Sequence, residues 1–166
     1  DPIRHSKSPV MLGSAFRECG INAEYAAFHV KPERLGEAIA GMRALGIRGL
    51  NVTIPHKVEV MAYLDEVDES ARAIGAVNTI VNDDGRLTGY NTDGIGYVQS
   101  LKEEAEPGLA GKRIVVLGAG GASRGILWAL LRERPAQVML ANRTFAKAKE
   151  LAASFGPEAP IAAIEE

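Results

Sequence analysis

The stretch Ile114-Val115-Val116-Leu117-Gly118-Ala119-Gly120-Gly121-Ala122-Ser123-Arg124-Gly125 decides the fold. A short apolar run, rich in β-branched residues, enters a cluster of glycines, and a helix-forming segment follows over residues 122–134. That is the strand–turn–helix order of a dinucleotide-binding unit. Glycine lets the backbone turn tightly and approach a pyrophosphate. The helix N-terminus then offers free N–H groups and partial positive charge. Gly118, Ala119, Gly120, Gly121 and Ala122 are therefore the expected phosphate cradle. The third glycine of the usual G-x-G-x-x-G spacing is Ser123 here, still small enough for close helix packing. A tight strand–helix connection without a ligand is the competing reading of the same residues.

Downstream, residues 138–141 read as a second strand. Thr144 caps a helix through Ala148, Leu151, Ala152 and Phe155, Gly156-Pro157 ends it, and a third strand begins near Ile161. A site for NAD places Asp or Glu at the end of the second strand, about 20 residues past the glycines, to accept from the ribose. Asn142-Arg143-Thr144 stand there, with Lys147 one turn on. An amide, a guanidinium, a hydroxyl and an ammonium suit a 2′-phosphate, so the expected cofactor is NADP; a solvated helix start is the alternative. A complete doubly wound fold uses about six strands. Few strands follow residue 112, and the chain begins with Asp1 rather than Met. The expectation is a chain cut short at both ends, whose sheet cannot cover both faces.

Upstream, Ser8-Pro9 reads as the cap and first position of a helix that Gly20 stops, with Met11, Ala15, Phe16 and Cys19 on one face. Residues 25–30 read as a strand. Pro32 opens a helix with Leu35, Ile39 and Met42 on one stripe and Gly46 at its end. Residues 47–54 read as a buried strand, and Pro55 starts a helix carrying Val58, Met61, Tyr63 and Leu64. A short helix over 66–74 precedes a hairpin whose strands, 76–81 and 87–90, flank Asp83-Asp84-Gly85-Arg86. Thr92 or Asp93 caps a helix through Ile95, Val98 and Leu101, which Pro107-Gly108 breaks. Strands alternating with helices give an α/β class with a mostly parallel sheet.

With 46% hydrophobic residues the chain can bury a sizeable core, and a net charge of −2 gives no electrostatic case for nucleic acid or an anionic membrane. One cysteine excludes an internal disulfide and fits a reducing compartment, and no apolar run approaches the ~20 residues of a membrane span. A cytoplasmic protein is expected. His5, His29 and His56 lack metal-ligand spacing, so no metal is expected, and no nucleophile–base pair stands out. His56, beside Lys57, reads as a surface or packing residue.

Polar side chains do gather where strands end, which is where open α/β folds build sites. Asn51 and Thr53 alternate with Val52 and share a side of their strand; Lys57 follows. Asn78 and Thr79 interrupt an apolar run, Asn91-Thr92-Asp93 closes the hairpin, and Ser6 and Ser8 flank Lys7. Hydroxyls, amides, one ammonium and one carboxylate suit a small polyhydroxylated acid. Singly, each has a plain alternative: Ser8 and Asp93 as helix caps, Asn78 as a turn former, Lys57 as a surface lysine.

Taken together, Ser6-Lys7-Ser8-Pro9, residues 51–57 (NVTIPHK), Gly75-Ala76-Val77-Asn78-Thr79, Asn91-Thr92-Asp93-Gly94, the glycine turn and Asn142-Arg143-Thr144 resemble shikimate dehydrogenases in identity, order and spacing, over nearly the whole chain. The resemblance implies a substrate-binding α/β domain at 1–93, a connecting helix at 94–106 and a partial Rossmann-type NADP-binding domain at 107–166. It implies reversible, NADP-dependent reduction of 3-dehydroshikimate to shikimate in aromatic amino-acid biosynthesis. By position, Ser6 and Ser8 would bind the substrate carboxylate. Asn51, Thr53, Asn78 and Asp93 would hold ring hydroxyls, and Lys57 and Asp93 would form the catalytic pair. Glu69 would lie near the cofactor, the glycine turn would hold the pyrophosphate, and Asn142, Arg143, Thr144 and Lys147 the adenosine phosphate. An ordinary lysine is a cation at neutral pH, so Lys57 is better placed as a proton donor than as a ready base. Lys147 replaces a frequent arginine, which softens the expected NADP preference. A quinate/shikimate dehydrogenase of broader specificity, a catalytically silent relative and a fragment that binds substrate without turnover are the alternatives. A homodimer is left open.

Overall fold

The computed structural model describes residues 2–105, 108–120 and 122–165. Its helices are α1 (Ser8–Glu18), α2 (Leu35–Ala44), α3 (Glu69–Ile74), α4 (Asp93–Glu104), α5 (Ser123–Arg132) and α6 (Phe145–Ala153). Its strands are β1 (Gly49–Asn51), β2 (Glu66–Val67), β3 (Thr79–Asp83), β4 (Arg86–Tyr90), β5 (Arg113–Leu117), β6 (Gln137–Ala141) and β7 (Ile161–Ile164).

The apolar run at 114–117 forms β5, which pairs in parallel with β6, and β6 pairs in parallel with β7. The order β5-β6-β7 is half of a doubly wound sheet. Alternate residues Ile114 and Val116 turn inward with Val138 and Leu140, and α5 and α6 cover that face with Leu127, Ala148 and Leu151. The opposite face is open: Val115 is 53% and Leu117 79% exposed, as the small number of strands led one to expect.

The other sheet has the order β1-β3-β4-β2. β3 runs antiparallel to both β1 and β4, and only β2 is parallel to its neighbour. A mostly parallel sheet therefore holds for the second half and is corrected for the first, where the Asp-Gly hairpin sets the direction. Asp84 and Gly85 both take positive φ, 47° and 90°, the backbone that a two-residue hairpin turn needs. Leu35, Ile39 and Met42 pack as expected, onto Val60, Ile80 and Leu87.

Several expectations fail for one physical reason: local pattern shows which face is apolar, not what meets it. Residues 25–30 join no ladder among the described residues, and a strand needs a neighbouring backbone. Only Gly49–Asn51 of the 47–54 run becomes strand, where it finds Thr79 to Val81 as partners. Residues 54–58 form a turn and Glu59–Tyr63 a 3-10 turn, so Val60 is buried rather than Val58. The 66–74 helix divides into β2 and α3, because Asp68 accepts from the Ser70 N–H at 2.9 Å and starts the helix there. On α1 no residue is buried, and Met11 is 63% exposed. Cys19 is that helix's exposed C-cap. Ser8 is the first helical residue rather than the cap, and its N–H donates to Ser6 Oγ at 3.3 Å. Thr92 and Thr144 stand at N-cap positions without side-chain capping bonds. Pro107 lies outside the described residues; α4 ends at Glu104.

Two carboxylates tie the first half together. Arg43 on α2 donates to Asp65 Oδ2 at 2.7 Å and also to the Gly85 carbonyl, and the Leu87 N–H donates to the same Asp65 oxygen at 2.6 Å. These donors, Arg43 first, hold the Asp65 carboxyl below its usual range, and the Ser70 hydroxyl and N–H do the same for Asp68. A carboxyl depressed on folding adds stability above its unfolded value of about 3.9, lost as pH falls through the lower folded value. The melting temperature, followed by circular dichroism from pH 7 to 3, is expected to drop below about pH 4, and Asp65→Asn to lower the neutral value and flatten that drop. An unchanged acid slope in the variant would contradict this.

Candidate active site

Lys57 sits in the 54–58 turn, and its carbonyl accepts the Val77 N–H at 2.7 Å, fixing the turn against the start of the hairpin. Its Nζ donates to Asp93 Oδ2 at 2.6 Å, with the side chains 26% and 33% exposed. Asp93 opens α4. Its backbone N–H is accepted by Asn91 Oδ1 at 3.2 Å, and Asn91, itself buried, donates to the Ala76 carbonyl at 3.0 Å. Thr92 stands at the N-cap position, as the sequence allowed, but it is Asn91, one residue earlier, whose side chain accepts the first N–H of α4.

Buried Asn78 sets the other carboxylate oxygen. Its Nδ2 donates to Asp93 Oδ1 at 2.7 Å, and its Oδ1 accepts from the Thr92 N–H at 3.0 Å and from Thr79 Oγ1 at 2.9 Å. Both Asp93 oxygens are therefore held by donors. The Lys57 ammonium, with three N–H groups, can offer donors to a ligand oxygen.

Ser6, Asn51 and Thr53 line one cavity of about 320 Å³ between residues 25–30, α2 and β1. Ser8 is half-buried beside Ser6. Lys57, Asn78 and Asp93 do not line that cavity; the bond from Asn51 Nδ2 to Thr79 Oγ1, 3.4 Å, links the two groups. Glu69 opens α3 with its side chain exposed, and the described contacts do not bring it to the glycine turn. Tyr25, which the sequence did not single out, belongs to this neighbourhood, as does His56, read there as a surface or packing residue. Tyr25 donates to Asn51 Oδ1 at 3.0 Å, and His56 Nε2 lies 2.8 Å from the Val30 carbonyl while its buried Nδ1 has no partner among the described residues. Nothing in local spacing shows that residues 25–30 lie beside 51–57.

The glycine turn leaves β5 at Gly118, whose φ of 105° excludes most side chains. The Gly118 N–H reaches the Ala141 carbonyl at 2.7 Å, and the Ala119 N–H donates to Asn142 Oδ1 at 3.1 Å, joining the turn to the end of β6. Ser123 accepts from the Gly120 N–H at 3.0 Å and donates to the Gly118 carbonyl at 2.8 Å. Ala122 is the N-cap of α5; Gly121 lies outside the described residues. A Cβ built at Gly118 or Gly120 would meet no atom within 4 Å, so the turn faces open space. Beside it lies a pocket of about 370 Å³ lined by Leu117, Gly118, Ala141, Asn142 and Arg143. Arg143, Thr144 and Lys147 are all exposed at its rim-side strand end and helix start. An open cradle, an amide, two cations and no carboxylate fit a phosphorylated dinucleotide.

The two halves meet where α4 crosses α5. A Cβ on Gly94 would lie 2.0 Å from the Gly125 carbonyl oxygen and 3.1 Å from Ala129 Cβ. The residue after Asp93 therefore touches the backbone of the helix that follows the glycine turn. Val98, Leu109, Ala129 and Leu130 bury the rest of this joint.

Fold and site together define an α/β chain in which a Lys–Asp pair, held by a turn and a helix start beside one sheet, lies next to half of a Rossmann-type unit. Comparison with known proteins narrows this. Residues 1–80 match the family model described as shikimate dehydrogenase substrate binding domain, and residues 100–166 match shikimate / quinate 5-dehydrogenase. The shikimate dehydrogenase (NADP(+)) of Geobacillus kaustophilus is 59% identical over 150 residues, covering 90% of this chain and 54% of that protein. Shikimate 5-dehydrogenase of Thermus thermophilus in complex with NADP(H) and shikimate aligns with a TM-score of 0.88 at 39% identity, covering 98% of this chain and 59% of the other. The ligand-free 5-ketofructose reductase of a Gluconobacter strain aligns at 0.90 and 37%, covering 99% and 59%. The chain belongs to the shikimate dehydrogenase family and spans about half the length of the curated relatives it matches.

Proposed function

We propose that this chain carries the substrate site and the first half of the NADP site of an enzyme that interconverts 3-dehydroshikimate and shikimate. The observation that carries this reading is the Lys57 Nζ–Asp93 Oδ2 contact of 2.6 Å, held by Asn78 and packed directly onto the helix after the glycine turn. Identity is 59% to a named shikimate dehydrogenase and 37% to a ketofructose reductase, so the substrate reading follows the former. The proposed domain division gives residues 1–93 to the substrate groups, 94–106 to the connecting helix and 107–166 to the partial Rossmann-type unit.

Bound NADP(H) supplies the hydride exchanged with C3 of the substrate. The protein's part is to orient the ring and to handle one proton at the C3 oxygen. Lys57 donates to that oxygen as it becomes a hydroxyl, and in the reverse direction receives the proton. Asp93, with Asn78 on its other oxygen, keeps the ammonium aimed and holds a ring hydroxyl. Asn51 and Thr53 hold the remaining hydroxyls, and Ser6 and Ser8 take the carboxylate. The glycine turn and the first N–H groups of α5 take the pyrophosphate in this reading, and a place for Glu69 near the cofactor rests on the family resemblance alone. Asn142, Arg143, Thr144 and Lys147 surround the adenosine phosphate.

Among the described residues no helix is long and apolar enough to cross a membrane. A small-molecule enzyme of the cytoplasm, without nucleic-acid or membrane partners, is the setting this reading supports.

Calorimetric titration of the chain with shikimate and with NADP separately tests the reading. Binding of shikimate is expected; no heat with shikimate would count against the site. A measurable NADP affinity would show that the half-unit suffices. Arg143→Ala is expected to weaken NADP binding roughly 10–100-fold, the range for a charge-assisted hydrogen bond, with NAD little changed. Equal losses for both nucleotides would remove Arg143 from the 2′-phosphate.

A further inference from the structure

Tyr25 lies in the segment 25–30, which joins no ladder among the described residues yet is held to residues 51–57 at two points. The Tyr25 hydroxyl donates to Asn51 Oδ1 at 3.0 Å, and the His56 ring nitrogen Nε2 meets the Val30 carbonyl at 2.8 Å. We infer that Tyr25 is a positioning residue that fixes the amide orientation of Asn51 and, with it, the direction of the Thr79 hydroxyl that bonds Asn78, the partner of Asp93. The inference rests on the reading of Asn51, Lys57 and Asp93 as a site for a polyhydroxylated acid.

An asparagine amide has one accepting and one donating end, and a flip exchanges them. A phenol that donates to Oδ1 leaves Nδ2 facing Thr79 Oγ1, 3.4 Å away. The Thr79 hydroxyl, receiving that N–H, gives its own proton to Asn78 Oδ1 at 2.9 Å. That bond adds to the Thr92 N–H, which Asn78 Oδ1 also accepts at 3.0 Å, and the Asn78 N–H lies 2.7 Å from Asp93 Oδ1. Every donor in the chain points from Tyr25 towards Asp93, where Lys57 completes the pair at 2.6 Å. Without the phenol, Asn51 can turn its oxygen to Thr79 and reverse that hydroxyl, which removes a hydrogen bond from Asn78 and changes what Asn51 shows to a ligand. Nothing in this arrangement needs Tyr25 to touch the substrate. The aromatic ring borders the cavity that Asn51 and Thr53 line, so Tyr25→Phe keeps the packing and removes only the donor.

The test titrates the chain and its Tyr25→Phe, Asn51→Ala and double variants with shikimate by calorimetry. Tyr25→Phe is expected to weaken shikimate roughly 3–10-fold, the range for one neutral hydrogen bond, and the double variant to bind no more weakly than Asn51→Ala alone. Cyclohex-1-ene-1-carboxylate, which keeps the acid and lacks the hydroxyls, is expected to bind both wild type and Tyr25→Phe alike. The Asn51 and Asn78 side-chain amide resonances of the ligand-free protein are expected to shift in Tyr25→Phe. Unchanged shikimate affinity in Tyr25→Phe, fully additive losses in the double variant, or unmoved amide resonances would overturn the inference while leaving the substrate site standing. Failure of the wild type to bind shikimate would overturn both.

Discussion

Replacing Gly94 by alanine is expected to lower the melting temperature by about 4–10 °C and to cut turnover about 100-fold. The added Cβ would lie 2.0 Å from the Gly125 carbonyl oxygen and 2.5 Å from its carbon. Those are backbone atoms of α5, so no rotamer change relieves the clash; α4 must move off α5. Overpacking of this kind costs about 1–3 kcal/mol, and a displacement of about 1 Å is enough to misalign reacting groups by two orders of magnitude in rate. Asp93 is the neighbour of Gly94 and would move with it. Gly96, two positions further along the same helix, is the control: a Cβ there meets nothing within 4 Å, and Gly96→Ala is expected to be neutral or slightly stabilising. Thermal unfolding of both variants reads the first effect. Shikimate-dependent nicotinamide reduction, in a chimera completed from the Geobacillus kaustophilus relative, reads the second. Equal behaviour of Gly94→Ala and Gly96→Ala would show that the helix crossing does not set the site.

Lys57→Ala is expected to reduce kcat about 10²–10⁴-fold, the range for a positioned general acid, while shikimate affinity changes only a few-fold. Lysine contributes one of several polar contacts to binding but the only ammonium among the proposed substrate groups. The variant also leaves Asp93 without its 2.6 Å partner, although Asn78 still holds the other oxygen at 2.7 Å. Lys57→Arg therefore separates charge from proton transfer: it keeps a cation beside Asp93 but supplies a much weaker acid, and is expected to restore binding without restoring turnover. Unchanged kcat in Lys57→Ala, or a loss confined to KM, would remove Lys57 from the chemistry.

The parts of the fold that were legible in the sequence are those with short-range causes. The apolar run at 114–117, the glycines after it and the spacing to 138–141 contain the β5–α5–β6 unit almost complete, because each element is next to the one it packs on. The Asp84-Gly85 turn likewise fixes its own hairpin. Lys57, Asn78 and Asp93 could be named because ammonium, amide and carboxylate at strand ends are conspicuous, and the structure brings those three together.

What the sequence concealed depends on distant partners. Residues 25–30 have strand-like composition but no backbone beside them in a ladder. The face of α1 is amphipathic, and no residue on it is buried. Asn91, rather than the N-cap residue Thr92, accepts the first N–H of α4, and its amide is held there by the distant Ala76 carbonyl. The Gly94–Gly125 contact is invisible from either glycine alone, since each could equally be a flexible helix position, and Tyr25 gains its role from a bond across 26 positions of chain.

The most direct test of the central claim is nicotinamide absorbance in the completed chimera with shikimate and each cofactor in turn. Reduced nicotinamide should form with shikimate and NADP, more slowly with NAD, and hardly at all in Lys57→Ala. A folded chimera that binds NADP yet forms no reduced nicotinamide with shikimate, or one whose rate survives the loss of Lys57, would contradict the account.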